Sequence, residues 1–144
     1  MKTIKIAIIN GPNLNLVGVR EPDIYGSMPL NDHLEALRVQ HPEVAFTFFQ
    51  SNHEGDIIDE IQRVGFSCSG IVLNAGALTH YSYAIADAVR SVHAPVVEVH
   101  ISDVNAREPF RRISVIKDAC AAVIAGFGLK SYDMAVDWLI DNAL

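Results

Sequence analysis

Five short apolar runs constrain the fold of this chain more than any other feature of its sequence. They occupy residues 5–9, 44–49, 70–73, 95–99 and 122–125, and most of their residues are branched or aromatic. A run that is apolar at nearly every position is typical of a strand buried on both faces. Because apolar residues at helical spacing fill the gaps between the runs, the pattern predicts an α/β fold with helices on both faces of a parallel sheet.

Four amphipathic segments place apolar residues three or four positions apart. Their apolar positions are Leu30, Leu34 and Leu37; Ile57, Ile58, Ile61 and Val64; Ala84, Ile85, Ala88, Val89 and Val92; and Tyr132, Ala135, Val136, Leu139 and Ile140. Residues 105–117 are less regular, with one or two helical turns expected between Arg107 and Arg112. Periodicity does not specify strand order, but five strands favour the flavodoxin-like order 2-1-3-4-5 over the Rossmann order. The expected architecture is a doubly wound, five-stranded parallel sheet in three layers.

Length and charge narrow the class of protein further. We expect one domain spanning residues 1–144, because 144 residues is a usual size for a single domain. The formal net charge of −6 disfavours a broad basic surface for nucleic acid or an anionic membrane.

Cys68 and Cys120 lie in apolar sequence and are expected in the core. No early apolar stretch is long enough to span a membrane. A reduced, cytoplasmic setting is the default expectation.

Polar residues follow the first four predicted strands. They are Asn10 and Asn13; Gln50, Ser51, Asn52 and His53; Asn74, Thr79 and His80; and His100 and Ser102. Ligands of open α/β sheets bind beyond the carboxyl ends of the strands. Connecting loops are polar in most proteins, but this concentration of Asn and His with few Lys or Glu favours one shared site at that edge.

The pair Glu98 and His100 is the most specific local feature. Glu98 interrupts an apolar strand, where an unpaired carboxylate would be costly. Side chains two positions apart on a strand face the same way, so Glu98 can bind one ring nitrogen of His100 and orient the other toward a substrate. A carboxylate neighbour also favours the protonated ring, the form that donates a proton. A purely structural buried pair fits these two residues equally well.

Residues 13–26 form an unusually long connection for a small domain, which favours a functional loop. Gly18 and Gly26 are positioned to act as hinges of a lid. The segment carries Arg20 and Tyr25, and a guanidinium beside a phenol lowers the pKa of the phenol and makes it available as a base. A single loop tyrosine is more often a packing residue, so the residues alone leave both interpretations open.

Several common chemistries lack their sequence signals. The six histidines show no metal-ligand spacing, so no metal is expected. No phosphate-binding loop follows the first strand, which disfavours a bound nucleotide, and the missing Gly-x-Ser-x-Gly elbow argues against an α/β-hydrolase nucleophile. Arg107, Arg111 and Arg112 form the only basic cluster. It suits an anionic or hydroxyl-rich ligand, and it suits a solvated surface or a subunit contact at least as well.

A series of sequence blocks resembles type II 3-dehydroquinate dehydratase. The blocks are GPNLN, GVREP and YG within residues 11–26, QSNHEG at 50–55, LNAG at 73–76 with TH at 79–80, EVHIS at 98–102, AR at 106–107, FR at 110–111 and GFG at 126–128. They occur in the family's order and cover nearly the whole chain, which makes the set specific although no single block is.

The resemblance implies a flavodoxin-like fold and the dehydration of 3-dehydroquinate to 3-dehydroshikimate, a step of the shikimate pathway of aromatic amino acid biosynthesis. It implies an anti elimination through an enol or enolate, without metal, nucleotide or Schiff base. It also implies self-association of trimers into a homododecamer, and a lid at about residues 13–26.

The resemblance also assigns roles to individual residues. The catalytic set is Tyr25 as general base, Arg20 as the partner that lowers its pKa, Asn13 as holder of a water at the enolate oxygen, His100 as general acid and Glu98 as its orienting carboxylate. The substrate-binding set is Asn74 with the backbone of Ile101 and Ser102 for the carboxylate, His80 and Arg111 for ring hydroxyls, Asp87 toward a neighbouring subunit's site, and Arg107 beside the lid.

Four positions depart from the family pattern: Asp103 for Asn, Asn105 for His, Tyr81 for a small hydroxyl residue, and Pro109 for Glu. Asp103 would place a negative charge near the carboxylate pocket unless its side chain points away. Two other functions therefore stay open. One is a flavodoxin-like module that binds a cyclic polyol acid without catalysis. The other, disfavoured by Pro12 and the missing phosphate loop, is a nucleotide or flavin binder.

Overall fold

Five parallel strands form one sheet in the order β2-β1-β3-β4-β5, as the flavodoxin-like prediction requires. The computed structural model describes residues 3–19, 21–25 and 28–143, except for the side chain of Tyr25. The strands are β1 (Ile4–Asn10), β2 (Val44–Gln50), β3 (Gly70–Asn74), β4 (Val96–His100) and β5 (Ala122–Ala125). Each strand coincides with one of the five apolar runs, apart from Pro95, which lies just before β4, so the predicted strands are confirmed.

Helices connect the strands and cover both faces of the sheet. They are α1 (Pro22–Tyr25), α2 (Leu30–Gln40), α3 (Glu54–Val64), α4 (Tyr83–Ser91) and α5 (Lys130–Asn142), with short 3₁₀ segments at Leu14–Leu16, Gly76–His80, Val104–Ala106, Pro109–Arg112 and Lys117–Ala119. No helix in the described ranges is both long and apolar enough to cross a membrane.

Two apolar cores lie on opposite faces of the sheet, which gives the three predicted layers. Leu34 of α2 and Leu139 of α5 pack with the side chains that alternate to one face of β1, such as Ile8. Ile61 of α3 and Ile85 of α4 pack on the other face. The alternation of strand side chains between the faces explains why the central runs are apolar at every position.

A few details differ from the periodicity. Ala84 is exposed, whereas Ala86, which the predicted stripe did not include, is buried beside Ile85 in α4. The expected helix between Arg107 and Arg112 is shorter: Arg107 is extended, and a single 3₁₀ segment follows after Glu108. Cys68 and Cys120 are free thiols that are only partly buried against the core.

The sheet register aligns the carboxyl ends of its first three strands. Asn10 at the end of β1 is paired with Gln50 of β2 on one side and with Asn74 of β3 on the other. The polar residues that end these strands therefore stand side by side at one edge. The carboxyl edge of the sheet is where a ligand of this fold class is expected to bind.

Close backbone contact joins the loops that follow β1 and β3. A Cβ atom on Gly11 would lie 2.6 Å from the carbonyl oxygen of Ala75, and the Gly11 N–H donates to the carbonyl of Asn74 at 2.7 Å. Gly76 has a positive φ of 61°, and a Cβ there would meet the carbonyl oxygen of Pro12 at 3.0 Å. Only glycine allows this approach without moving one of the two loops.

We expect Gly11→Ala to lower the free energy of unfolding by about 2 kcal/mol or more, because the new methyl group would overlap backbone atoms that have no room to move. Urea denaturation at neutral pH measures the effect. Gly55→Ala, in the first turn of α3, is the matched control, since nothing lies within 4 Å of its Cβ position. It should be neutral or stabilising by up to about 1 kcal/mol, and equal losses in both variants would contradict the proposed crowding.

Candidate active site

A cleft of about 140 Å³ opens at the carboxyl edge of the sheet, between the loops that follow β1, β3 and β4. Eight residues that the sequence singled out line it: Asn13, Asn74, His80, His100, Ile101, Ser102, Arg107 and Arg111. Side chains that are far apart in the sequence are thus brought together at the predicted edge. The cleft combines two imidazoles, two guanidinium groups and two carboxamides, a set suited to a small, oxygen-rich anion.

A completely buried carboxylate lies behind the cleft. Glu98 Oε2 accepts a hydrogen bond from His100 Nε2 at 2.5 Å and another from the Thr79 hydroxyl at 2.8 Å. The Ser114 hydroxyl lies 2.9 Å from each Glu98 oxygen. The side-chain oxygen of Ser114 in turn accepts from the backbone N–H of Lys117. The predicted contact between Glu98 and His100 is present, and both carboxylate oxygens are occupied.

The ionisation of Glu98 is decided by two opposing effects. Burial raises its pKa, but the hydrogen bond and charge of His100 and the hydroxyls of Thr79 and Ser114 outweigh burial and hold the pKa below its ordinary value of 4.5. Glu98 is therefore a carboxylate at neutral pH and can only accept. His100 must carry a hydrogen on Nε2, and Nδ1 is the ring nitrogen that Glu98 leaves for another partner.

Asn13 occupies an uncommon backbone conformation at the rim of the cleft. Its φ is 70° and its ψ is 0°, in the left-handed region, which asparagine tolerates better than most residues. The Asn13 N–H donates to Asn52 Oδ1 at 2.9 Å, and the Gln50 amide donates to the same oxygen and to the Gly11 carbonyl. The loop after β2 thus supports the loop after β1, which leaves the Asn13 side chain at the cleft.

Asn74 is held from behind by a buried polar chain. Its Nδ2 donates to the Tyr132 hydroxyl at 2.9 Å, and its Oδ1 accepts from the Gly76 N–H at 3.1 Å. The Tyr132 hydroxyl donates to Asn10 Oδ1 at 2.6 Å. Asn10, Asn74 and Tyr132 are all buried. The amide of Asn74 therefore has a defined orientation where it meets the cleft.

His80 and Arg111 share an aromatic support. His80 Nδ1 donates to the Ile113 carbonyl at 2.6 Å, which leaves Nε2 free of that contact. The rings of His80 and Phe110 meet edge to face at 5.7 Å, and the Arg111 guanidinium lies 4.8 Å from the centre of the Phe110 ring. Arg111 Nε also donates to Glu108 at 2.5 Å. Phe110 keeps both cleft residues in place although it is itself exposed.

The Asp103 carboxylate does not line the cleft. Its Oδ1 caps the 3₁₀ segment Val104–Ala106 by accepting from the Asn105 N–H at 3.0 Å, and Asp103 is not among the cleft-lining residues. The neighbouring Ser102 instead accepts a long hydrogen bond from Arg107, at 3.5 Å. Of the other departures, Tyr81 is exposed and Pro109 begins a 3₁₀ segment, where proline fits well.

Besides Glu98, which lies behind the cleft, three of the predicted site residues do not contribute a described side chain to it. Arg20 lies outside the described residues, as does Gly26. Tyr25 ends α1, and its side chain lies outside the described part. Asp87 is on the exposed face of α4, where it pairs with Arg90 at 3.7 Å. The beginning of the 13–26 segment is anchored, because Leu14 and Val17 pack into the core.

The residue patterns did not assign a role to three supporting residues. The sequence presents Thr79 only as one of the polar residues after the third strand, Tyr132 only as part of an apolar helix stripe, and Ser114 only as part of the irregular segment 105–117. The sequence does offer a clue for Tyr132, because it places a hydroxyl within an apolar helix stripe and a buried phenol usually requires a hydrogen-bond partner. Ser114 carries no comparable signal, because its contact with Glu98 depends on how residues 113–116 are folded.

Among the side chains that the structure describes, no three His, Cys, Asp or Glu are grouped so that they could hold a metal ion. The donors that face the cleft are instead amides, imidazoles, guanidinium groups and backbone groups. Such donors recognise hydroxyl and carboxylate oxygens by hydrogen bonds and charge.

Comparison with known proteins gives a consistent result over almost the full length. The family model "Dehydroquinase class II" matches residues 4–140. The chain is 53% identical over 135 residues to a 3-dehydroquinate dehydratase of Caldicellulosiruptor bescii, with 92% of this chain and 93% of that one covered. A 3-dehydroquinate dehydratase of Bacillus subtilis is 51% identical over 142 residues, with 94% of this chain and 93% of that chain covered.

Solved structures agree with the sequence comparison. The crystal structure of a type II dehydroquinase from Butyrivibrio crossotus superposes with a TM-score of 0.92 at 50% identity, covering 95% of this chain and 97% of that chain. That of a type II dehydroquinase from Propionibacterium acnes has the same TM-score at 37% identity and covers 99% of both chains.

We expect the Glu98 carboxylate to make stability depend on acid pH. Because its pKa is lowered in the folded state, its contribution is complete above about pH 4.5 and is lost as the pH falls through the lower folded value. Glu98→Gln should cost about 1–3 kcal/mol at pH 7. Urea denaturation at several pH values should show this difference shrinking below pH 4.5, and a difference that stays constant to pH 3 would contradict the assignment.

Proposed function

Since the chain belongs to the class II dehydroquinase family, a family of hydro-lyases, we propose that it catalyses the dehydration of 3-dehydroquinate to 3-dehydroshikimate. The elimination is anti and passes through an enol or enolate, and the reaction serves the shikimate pathway of aromatic amino acid biosynthesis. The observation that carries the proposal is the pairing of buried Glu98 with His100 at the floor of a cleft lined by Asn74 and two arginines.

The proton of the leaving hydroxyl group comes from His100 in this proposal. Hydroxide is a poor leaving group, so the bond from carbon to oxygen breaks only if an acid supplies a proton. Glu98 holds Nε2, and the imidazole is therefore directed to act through Nδ1. Thr79 and Ser114 fix Glu98 in turn, which reduces the freedom of the ring in the cleft.

Tyr25 removes the proton α to the ketone, with Arg20 as the cation that stabilises its phenolate. The α proton of a ketone is weakly acidic, so the charge that develops on the carbonyl oxygen must meet an oriented dipole. Asn13 supplies that dipole through a bound water. The left-handed backbone of Asn13 and its support from Asn52 favour this role, because a preorganised dipole costs no reorganisation during the reaction.

The remaining cleft residues hold the substrate. The Asn74 amide and the backbone N–H groups of Ile101 and Ser102 bind its carboxylate, and His80 and Arg111 bind ring hydroxyls. The contact between His80 Nδ1 and the Ile113 carbonyl supports this assignment, since Nε2 is then available to accept a hydroxyl proton. Arg107, which contacts Ser102, acts beside the lid formed by residues 13–26. The elimination needs no cofactor and no metal, because the acid, the base and the dipoles are side chains.

We propose that one domain, residues 1–144, associates into trimers and that the trimers form a homododecamer in the cytoplasm. Asp87 then reaches toward the site of a neighbouring subunit. Its exposed position on α4 and its weak pairing with Arg90 support such an external contact. Neither nucleic acid nor a membrane is expected as a partner.

Ultraviolet absorbance on addition of 3-dehydroquinate tests the reaction directly, because elimination creates a conjugated enone that the substrate lacks. We expect a rising signal with the wild-type protein and a loss of about 10²–10⁴-fold in kcat for Tyr25→Phe, the range for removing a general base. Tyr83→Phe, which removes an exposed phenol hydroxyl on α4, is the matched control and should retain full activity.

A flat trace from folded wild-type protein would refute the dehydratase proposal. Calorimetric titration with 3-dehydroquinate then decides what remains. Binding without turnover would favour the non-catalytic module for a cyclic polyol acid, and absence of binding would exclude that function as well.

Light scattering of the purified protein tests the assembly. We expect the mass of a dodecamer at neutral pH, with trimers appearing first as the protein is diluted, because the trimer is the proposed building unit. Asp87→Ala should keep the assembly and raise KM. A monomer at all concentrations, with unchanged KM in Asp87→Ala, would contradict both the assembly and the role of Asp87.

A further inference from the structure

The Tyr132 hydroxyl occupies a central place between two carboxamides at the ends of β1 and β3. It donates to Asn10 Oδ1 at 2.6 Å and accepts from Asn74 Nδ2 at 2.9 Å. We propose that Tyr132 is a positioning residue for substrate binding, which fixes the Asn74 amide so that its second N–H is offered to the cleft. The inference rests on the proposed function and adds to it a residue that does not itself line the cleft.

The orientation of the Asn74 amide follows from its partners. A backbone N–H can only donate, so the atom that meets Gly76 N must be the carbonyl oxygen of the amide. The amide nitrogen consequently faces Tyr132. A carboxamide nitrogen carries two hydrogens, and one of them goes to the phenol oxygen. The other makes no hydrogen bond to any residue in the described ranges, at a side chain that lines the cleft.

The direction of the chain of hydrogen bonds is fixed at its other end by Asn10. The side-chain oxygen of Asn10 accepts the phenol hydrogen, so the lone pairs of the phenol oxygen face Asn74. Burial raises the pKa of the Tyr132 phenol, and it stays a neutral donor throughout the working pH range. The phenol therefore acts as a constant acceptor for the amide, not as a titrating group.

Tyr132 is suited to hold this position mechanically. Its side chain has no exposed surface, and it lies in the apolar core between α5 and the sheet together with Ala135 and Val136. A phenol has only two side-chain torsions, so a packed ring holds its hydroxyl at a defined point. β1 and β3 set the other two members, because Asn10 and Asn74 are paired in the sheet register. The amide is thus fixed by three elements at once.

Tyr132→Phe tests the proposal, because it removes the hydroxyl and keeps the ring. The Asn74 amide then loses the acceptor that holds its nitrogen and is free to turn. We expect KM for 3-dehydroquinate to rise about tenfold, the effect of losing one well-placed hydrogen bond to an anion, while kcat changes less than about threefold. A purely structural role would reduce the amount of folded enzyme and would leave KM unchanged.

Two control variants separate positioning from stability. Leu139→Ala creates a cavity in the same helix, where Leu139 packs near Gly70 and away from the amide, so it should destabilise the protein without changing KM. Tyr83→Phe removes an exposed phenol hydroxyl and should change neither quantity. Asn10→Ala is a second test variant. It leaves the phenol without its acceptor, and we expect a smaller rise in KM than in Tyr132→Phe.

The outcomes separate the two proposals. Absence of turnover by the wild-type protein refutes the dehydratase function itself. Turnover by the wild type with unchanged KM in Tyr132→Phe overturns the positioning role, as does an equal rise in KM for Leu139→Ala. If Tyr132→Phe does not fold, Asn10→Ala decides, and an unchanged KM in that variant overturns the role as well.

Discussion

The buried carboxylate of Glu98 is the interaction on which the rest of the site depends. A charge in the middle of β4 is tolerated only because three donors from different segments reach it: His100, Thr79 and Ser114. His100 ends the same strand, whereas Thr79 comes from the segment after β3 and Ser114 from the connection between β4 and β5, and both of these must close over the strand. The need to satisfy one charge therefore organises three pieces of chain and aims an imidazole at the cleft.

Tight backbone contact performs the corresponding task on the β1 side. Gly11 and Gly76 bring two loops close enough that Asn13 and Asn74 border the same cleft. Side chains outside the cleft then hold the lining residues, as Asn52 does for Asn13, Tyr132 for Asn74 and Phe110 for Arg111. The polar groups behind the cleft thus hold the side chains that line it. The polar atoms of the lining side chains that have no such partner face the cleft.

Much of this arrangement could be predicted from the sequence, and the limits have physical causes. The apolar runs determined the strands because burial on both faces requires apolar side chains, and spacing by two along β4 predicted the contact of Glu98 with His100. Loop conformation was not predictable in the same way. Arg107 is extended whereas Arg111 lies in a 3₁₀ segment, and such short segments leave no periodic pattern in the sequence. The contact of Ser114 with Glu98 depends on the same irregular stretch of chain. The roles of Tyr25, Arg20 and Asp87 rest on family resemblance.

The hydrogen bond from Tyr132 to Asn10 spans 122 positions of sequence, almost the whole chain. During synthesis the sheet strands β1 to β5 leave the ribosome before α5, so in an incomplete chain the Asn74 amide nitrogen lacks its phenol partner. The order of the binding site consequently depends on the docking of the C-terminal helix, and a shortened chain lacking α5 would retain the lining residues without the phenol that holds Asn74.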